Sequence, residues 1–93
     1  MDTVEYRVLR CGRTVPASLY KSMRQRVLRR ARQLVICTPY TAKMICGSDY
    51  WYGLGGYKTH AGLVMADLVD QELVPFAFAS ERDAKPLWYR LVP

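Results

Sequence analysis

The feature that most constrains this sequence lies between Tyr57 and Val92, where one hydrophobic period gives way to another. Ala61, Val64, Met65, Leu68, Val69 and Leu73 are spaced so that they share one face of a helix. Pro75 prevents that helix from continuing. Residues 76–80 then alternate with period two, residues 81–86 are polar and turn-like, and Leu87-Trp88-Tyr89-Arg90-Leu91-Val92 returns as a second apolar run. The pattern predicts a helix over 57–73 followed by a β-hairpin. An isolated hairpin is marginal in water, so a further strand is needed beside it. Val4, Tyr6 and Val8 alternate within residues 3–10 and are the expected source of that strand.

Two helices are predicted between these elements. Thr14 is the candidate N-cap of the first, with Pro16 in its first turn, and the helix is expected to run to about Val35. Leu19, Tyr20, Met23, Val27, Ala31 and Leu34 fall on its apolar face. Lys21, Arg24, Arg26, Arg29, Arg30 and Arg32 form a basic patch, in which Arg30 sits near the apolar edge and must snorkel or find a partner. Thr38-Pro39 reads as an N-cap followed by proline at the first helical position, predicting a short helix over Pro39–Cys46 that ends at Gly47.

The 93 residues leave room for one domain, 1–93, and the 51% hydrophobic and 24% charged fractions are those of a folded globular protein. No run is long enough to span a bilayer, and the acidic residues 1–5 lack the apolar stretch of a secretory signal. Cys11, Cys37 and Cys46 are therefore read as reduced thiols of a cytoplasmic protein, with Cys37 and Cys46 partly in the core. Their spacing, with His60, fits no common zinc module, and no metal or cofactor is expected. The net charge of +6 is uneven: residues 1–46 hold ten lysines and arginines against two acids, residues 47–93 four against six. A basic half points to an anionic partner such as nucleic acid, or to a face that simply keeps the protein in solution.

Catalysis is not expected. The single histidine reads as an exposed residue of the helix 57–73, the few acids form no catalytic pair by spacing, Asp67 and Asp70 lack a histidine or cysteine on their helix face, and no GxSxG, HExxH or Walker sequence occurs. Residues 48–56, SDYWYGLGG, join Tyr50, Trp51 and Tyr52 to three glycines. They read as a connector whose aromatics pack on the core, or as an aromatic surface for a partner protein or stacked bases.

A helix ending in DLVDQELVPF, a hairpin ending in WYRLV and a short capped helix upstream resemble the winged helix-turn-helix family. The resemblance implies an α+β, winged helix-like fold of three helices and a C-terminal β-hairpin, joined by the N-terminal strand. It also implies a DNA-binding transcription regulator that contacts double-stranded DNA. Lys58, Thr59 and His60 would then face the bases, Thr41 and Lys43 the phosphates, and Arg82 and Lys85 the backbone from the wing. Glu72 stands where many such proteins have glycine. Regulators of this kind often pair, so a homodimer is compatible, although no dedicated dimerisation helix is visible. The competing expectation is a small phage or mobile-element accessory protein that uses the same scaffold to bind and inhibit a host protein complex, with Tyr50, Trp51 and Tyr52 at the interface. A DNA mimic is disfavoured by the positive charge.

Overall fold

The apolar stripe of residues 61–73 folds into the central helix of the molecule, and the other elements are laid around it. The computed structural model describes residues 5–93. Within them the chain is α+β, with four α-helices and two small antiparallel sheets. In order these are β1 (Tyr6–Val8), β2 (Thr14–Pro16), α1 (Ala17–Ala31), β3 (Pro39–Thr41), α2 (Ala42–Cys46), α3 (Ser48–Gly53), a 3-10 turn (Gly55–Tyr57), α4 (Lys58–Asp70), β4 (Phe76–Phe78) and β5 (Trp88–Leu91). Among the described residues, no helix is long and apolar enough to cross a membrane.

Helices α1 and α4 supply much of the core. Tyr20, Met23 and Val27 of α1 meet Ala61, Val64, Met65, Leu68 and Val69 of α4, all buried. Leu19, Ala31, Leu34 and Leu73 are half-buried against them. The 3.6-residue spacing thus selected the correct faces.

The predicted hairpin is present, and its third strand is not the predicted one. Strand β5 is central, flanked by β4 and β3. Tyr40, Tyr89 and Phe78 stand side by side across the three strands, with the Phe78 and Tyr89 rings 5.4 Å apart. Tyr89 is buried, which pushes its phenol up to about 12. Strand β1 instead pairs with β2 in a separate ribbon that leads into α1, and Tyr6 and Val8 are exposed. Val4 lies outside the described residues.

Both displaced expectations turn on proline. A residue that precedes proline is pushed out of the helical region. Val15 and Pro16 therefore extend as β2, and α1 begins only at Ala17, so Thr14 is not its cap. Thr38-Pro39 likewise opens strand β3 rather than a helix. β3 is an edge strand, where proline's missing N–H is tolerated, and Tyr40 and Thr41 suit a strand. The cap of α2 is Thr41, whose Oγ1 accepts from the Met44 backbone N–H at 3.3 Å. Helix α1 stops at Ala31, short of Val35, and Ile36 bridges to Leu91. The glycine-rich stretch is itself folded as α3 and the 3-10 turn, which raises the helix count from three to four.

One polar group interrupts the core. Asp67 of α4 is 5% exposed. One carboxylate oxygen accepts the Arg10 backbone N–H at 2.9 Å. The other accepts the Tyr20 hydroxyl, also at 2.9 Å, and the Gln71 side-chain amide. Burial, and then the bond to Asp67, raise the Tyr20 phenol above its ordinary value. The single carboxyl group joins the turn after β1, helix α1 and the end of α4.

Helix α4 closes in a Schellman arrangement. The Leu73 N–H bonds to the Leu68 carbonyl at 3.0 Å and the Glu72 N–H to the Val69 carbonyl at 3.1 Å. Glu72 holds φ +58°, a left-handed conformation that glycine adopts freely and glutamate does not. Glu72→Gly is therefore expected to raise stability by about 1 kcal/mol in urea denaturation. Asp67→Ala, which leaves the Tyr20 hydroxyl and the Arg10 N–H without their acceptor, is expected to cost about 3 kcal/mol in the same assay, and Asp67→Asn less.

Candidate nucleic-acid interface

Gly47 decides the geometry of the basic surface. It lies between α2 and α3 at φ +93°, and a Cβ there would stand 3.1 Å from the Arg26 guanidinium. The positive φ favours glycine, and a Cβ would also push the Arg26 guanidinium aside by a few tenths of an ångström. The chain therefore turns after Cys46, and α3 sets off in a new direction.

The end of α2 at this break is covered by α1. Arg26 Nε donates to the Cys46 carbonyl at 2.8 Å, and Arg30 Nε to the Ile45 carbonyl at 3.0 Å. Two carbonyls left open at the end of the helix are thus met by cations, which its dipole also favours. Arg30 finds the partner that its position at the edge of the apolar face demanded, and it also reaches Gln33 at 3.1 Å. Of the six residues of the basic patch, Arg26 and Arg30 are half-buried and held in this way. Lys21, Arg24, Arg29 and Arg32 are exposed. The Cys46 thiol beneath is buried, and burial pushes it up to about 11 against the opposing pull of Arg26 and Arg30. Cys11 and Cys37 are exposed, so Cys37 is not part of the core.

Tyr50, Trp51 and Tyr52 do not form one aromatic surface. Tyr50 is half-buried, its hydroxyl 2.9 Å from Ser22 Oγ and its ring 5.5 Å from the Arg26 guanidinium. Trp51 is half-buried against the core. Tyr52 alone is largely free, at 60% exposed.

Tyr52 is also where two of the candidate lysines meet. Lys43 Nζ of α2 donates to the Tyr52 hydroxyl at 2.7 Å and lies 4.6 Å from its ring centroid. Lys58 Nζ of α4 lies 5.0 Å from the same centroid. The Lys43 hydrogen bond and charge, with the charge of Lys58 behind them, hold the Tyr52 phenol below its ordinary range. Thr59 follows Lys58 and is exposed. His60 is half-buried, with its ring 5.5 Å from Tyr57 and its Nδ1 enclosed without a hydrogen-bond partner among the described residues. Thr41 is half-buried and occupied as the cap of α2.

Of the wing candidates, Arg82 lies at the other end of α4. Arg82 Nη1 is 3.5 Å from the Asp70 carboxylate, and its guanidinium stacks 4.1 Å from the Phe78 ring centroid. Lys58 and Asp70 are the first and last residues of α4, on the order of 18 Å apart along its axis. Lys85 is exposed. The structure therefore joins Lys43, Lys58 and Thr59 at one end of α4 and sets Arg82 at the other. Tyr52 is the member that the sequence did not single out for this role.

A separate groove of about 710 Å³ opens between the β1–β2 ribbon and α3. Tyr6, Leu19, Tyr50, Leu54 and Tyr57 give it an apolar, aromatic lining.

The two kinds of arginine on α1 are expected to respond differently to truncation. Arg26→Ala removes a charged bond to a helix end and should cost about 2 kcal/mol in thermal or urea unfolding, whereas Arg29→Ala should change stability by no more than about 0.5 kcal/mol. Comparison with protein-family models, with curated proteins and with solved structures finds no match for this chain.

Proposed function

We propose that this protein is a non-enzymatic, double-stranded DNA-binding regulator of winged helix type, which presents the first turn of α4 to the duplex. The observation that carries this reading is the convergence of Lys43 and Lys58, from separate helices, on the exposed Tyr52. Two cations held on rigid elements beside an exposed threonine suit a phosphodiester backbone next to base edges. The acids of α4 point the same way by their position: Asp67 is buried and Asp70 is at the far end, so neither faces phosphates at the Lys58 end. The ribbon that follows α4, with β3 laid along it, supports the winged helix assignment. The exposed Lys21, Arg24, Arg29 and Arg32 supply long-range attraction or further backbone contacts. Arg82, engaged with Asp70 and Phe78, is a weaker wing contact than its sequence position implies.

A second reading is favoured by one observation, the aromatic groove beside Tyr6 and Tyr57. It suits a protein partner, as expected of an accessory factor that inhibits a host complex, and leaves the basic residues to steer association.

Titration with random-sequence duplex at several salt concentrations separates the two. The DNA reading predicts binding that weakens steeply with salt, and Lys58→Ala is expected to reduce affinity about fivefold or more at fixed salt. Absence of binding at low salt, or binding that salt barely affects, would reject it.

A further inference from the structure

We propose that Lys43, Tyr52 and Lys58 act as one clamp on a single DNA phosphate, in which Tyr52 both orders the lysines and donates its hydroxyl. This rests on the duplex-DNA reading above and names the contact through which it is made.

The geometry supports one site rather than two. Both ammonium groups lie beside the same ring, at 4.6 and 5.0 Å from its centroid. The three residues come from α2, α3 and α4, so the grouping depends on the tertiary fold and not on one helix face. Neither lysine is within ion-pair distance of a carboxylate among the described residues, which leaves two positive charges without a counter-charge. Tyr52 is 60% exposed, Lys58 is exposed and Lys43 is half-buried, so the site opens to solvent on the side of Tyr52 and Lys58.

Tyr52 gives the site an order that two lysines alone lack. A lysine side chain is long and loses rotamer freedom when a contact fixes it. Here the hydroxyl holds Lys43 at 2.7 Å, and Lys58 stands 5.0 Å from the ring centroid, before any ligand arrives. Contacts that are preorganised in the free protein lose less on binding. The hydroxyl accepts from Lys43, so its own proton remains to be donated to a phosphate oxygen. A phosphate seated there would meet two ammonium groups and a hydroxyl donor at once.

One titration series tests this, with random-sequence duplex as the probe and the dependence of log K on log salt as the readout. Each phosphate neutralised contributes about 0.9 to that slope. If one phosphate is shared, Lys43→Ala or Lys58→Ala alone weakens binding yet leaves the slope near its native value, because the other lysine still neutralises it. The double variant then lowers the slope by about 0.9. Tyr52→Ala is expected to lower affinity about tenfold at fixed salt with the slope retained, and Tyr52→Phe, which keeps the ring, to recover about threefold of that loss. A purely structural role for Tyr52 would instead lower the melting temperature and leave the affinity of the folded protein unchanged. Native binding with a slope loss of about 0.9 in each single variant, adding in the double, would overturn the clamp and keep the DNA reading. An unchanged affinity in Tyr52→Ala would do the same. Native protein that binds no duplex overturns both.

Discussion

The buried carboxyl of Asp67 is the contact on which the arrangement of the helices depends. It sits in the apolar interface of α1 and α4 and accepts from three directions: the Arg10 backbone, the Tyr20 hydroxyl and the Gln71 amide. Apolar packing alone tolerates small rotations and slips of one helix on another. A buried acceptor does not, since each donor that moves away is left unpaired at a cost of roughly 1–3 kcal/mol. Once α1 is fixed, Arg26 and Arg30 reach the end of α2. That in turn sets Lys43 against Tyr52. A chain of contacts thus runs from the core to the exposed basic surface.

Much of this fold was legible in the residues, and the failures share a cause. The faces of α1 and α4 followed from hydrophobic spacing, because burying a stripe is what such spacing does. The hairpin followed from alternation. The start of α2 was misplaced because Thr38-Pro39 satisfies the rule for a helix start and also the rule for an extended step before proline. Pairing with β5 decides between them, and β5 lies far along the chain. The same long-range choice placed β3, and not Tyr6–Val8, on the sheet.

The candidate site was legible in its members and not in its grouping. Lys58 stood out in the first turn of its helix, and Lys43 was implied as a phosphate contact of the short helix by the winged helix resemblance. Nothing in their spacing connects them to Tyr52, because Gly47 breaks the helical period between residues 43 and 52. Arg26 and Arg30 were indistinguishable in sequence from their exposed neighbours, apart from the position of Arg30 at the apolar edge. Asp67 carried a signal that was available. It falls three residues after Val64 and immediately before Leu68, on the buried face, where an acid needs partners. The positive charge of the sequence is consequently not all surface charge, since part of it holds helix ends inside the fold.

Strand β5 has a consequence for how the protein comes to be folded in the cell. It is the middle strand of its sheet, bonded on one side to residues 76–78 and on the other to residues 39–41. It also carries the buried Tyr89 and Leu91. During synthesis, β3 and β4 leave the ribosome with no strand between them, each presenting an unmatched edge. The helices can collapse earlier, but the sheet has no partial form that resembles its final one. Closure waits until residue 91 has emerged, so a stalled or shortened chain would leave β3 and β4 each unpaired on both sides rather than form a smaller version of the same domain.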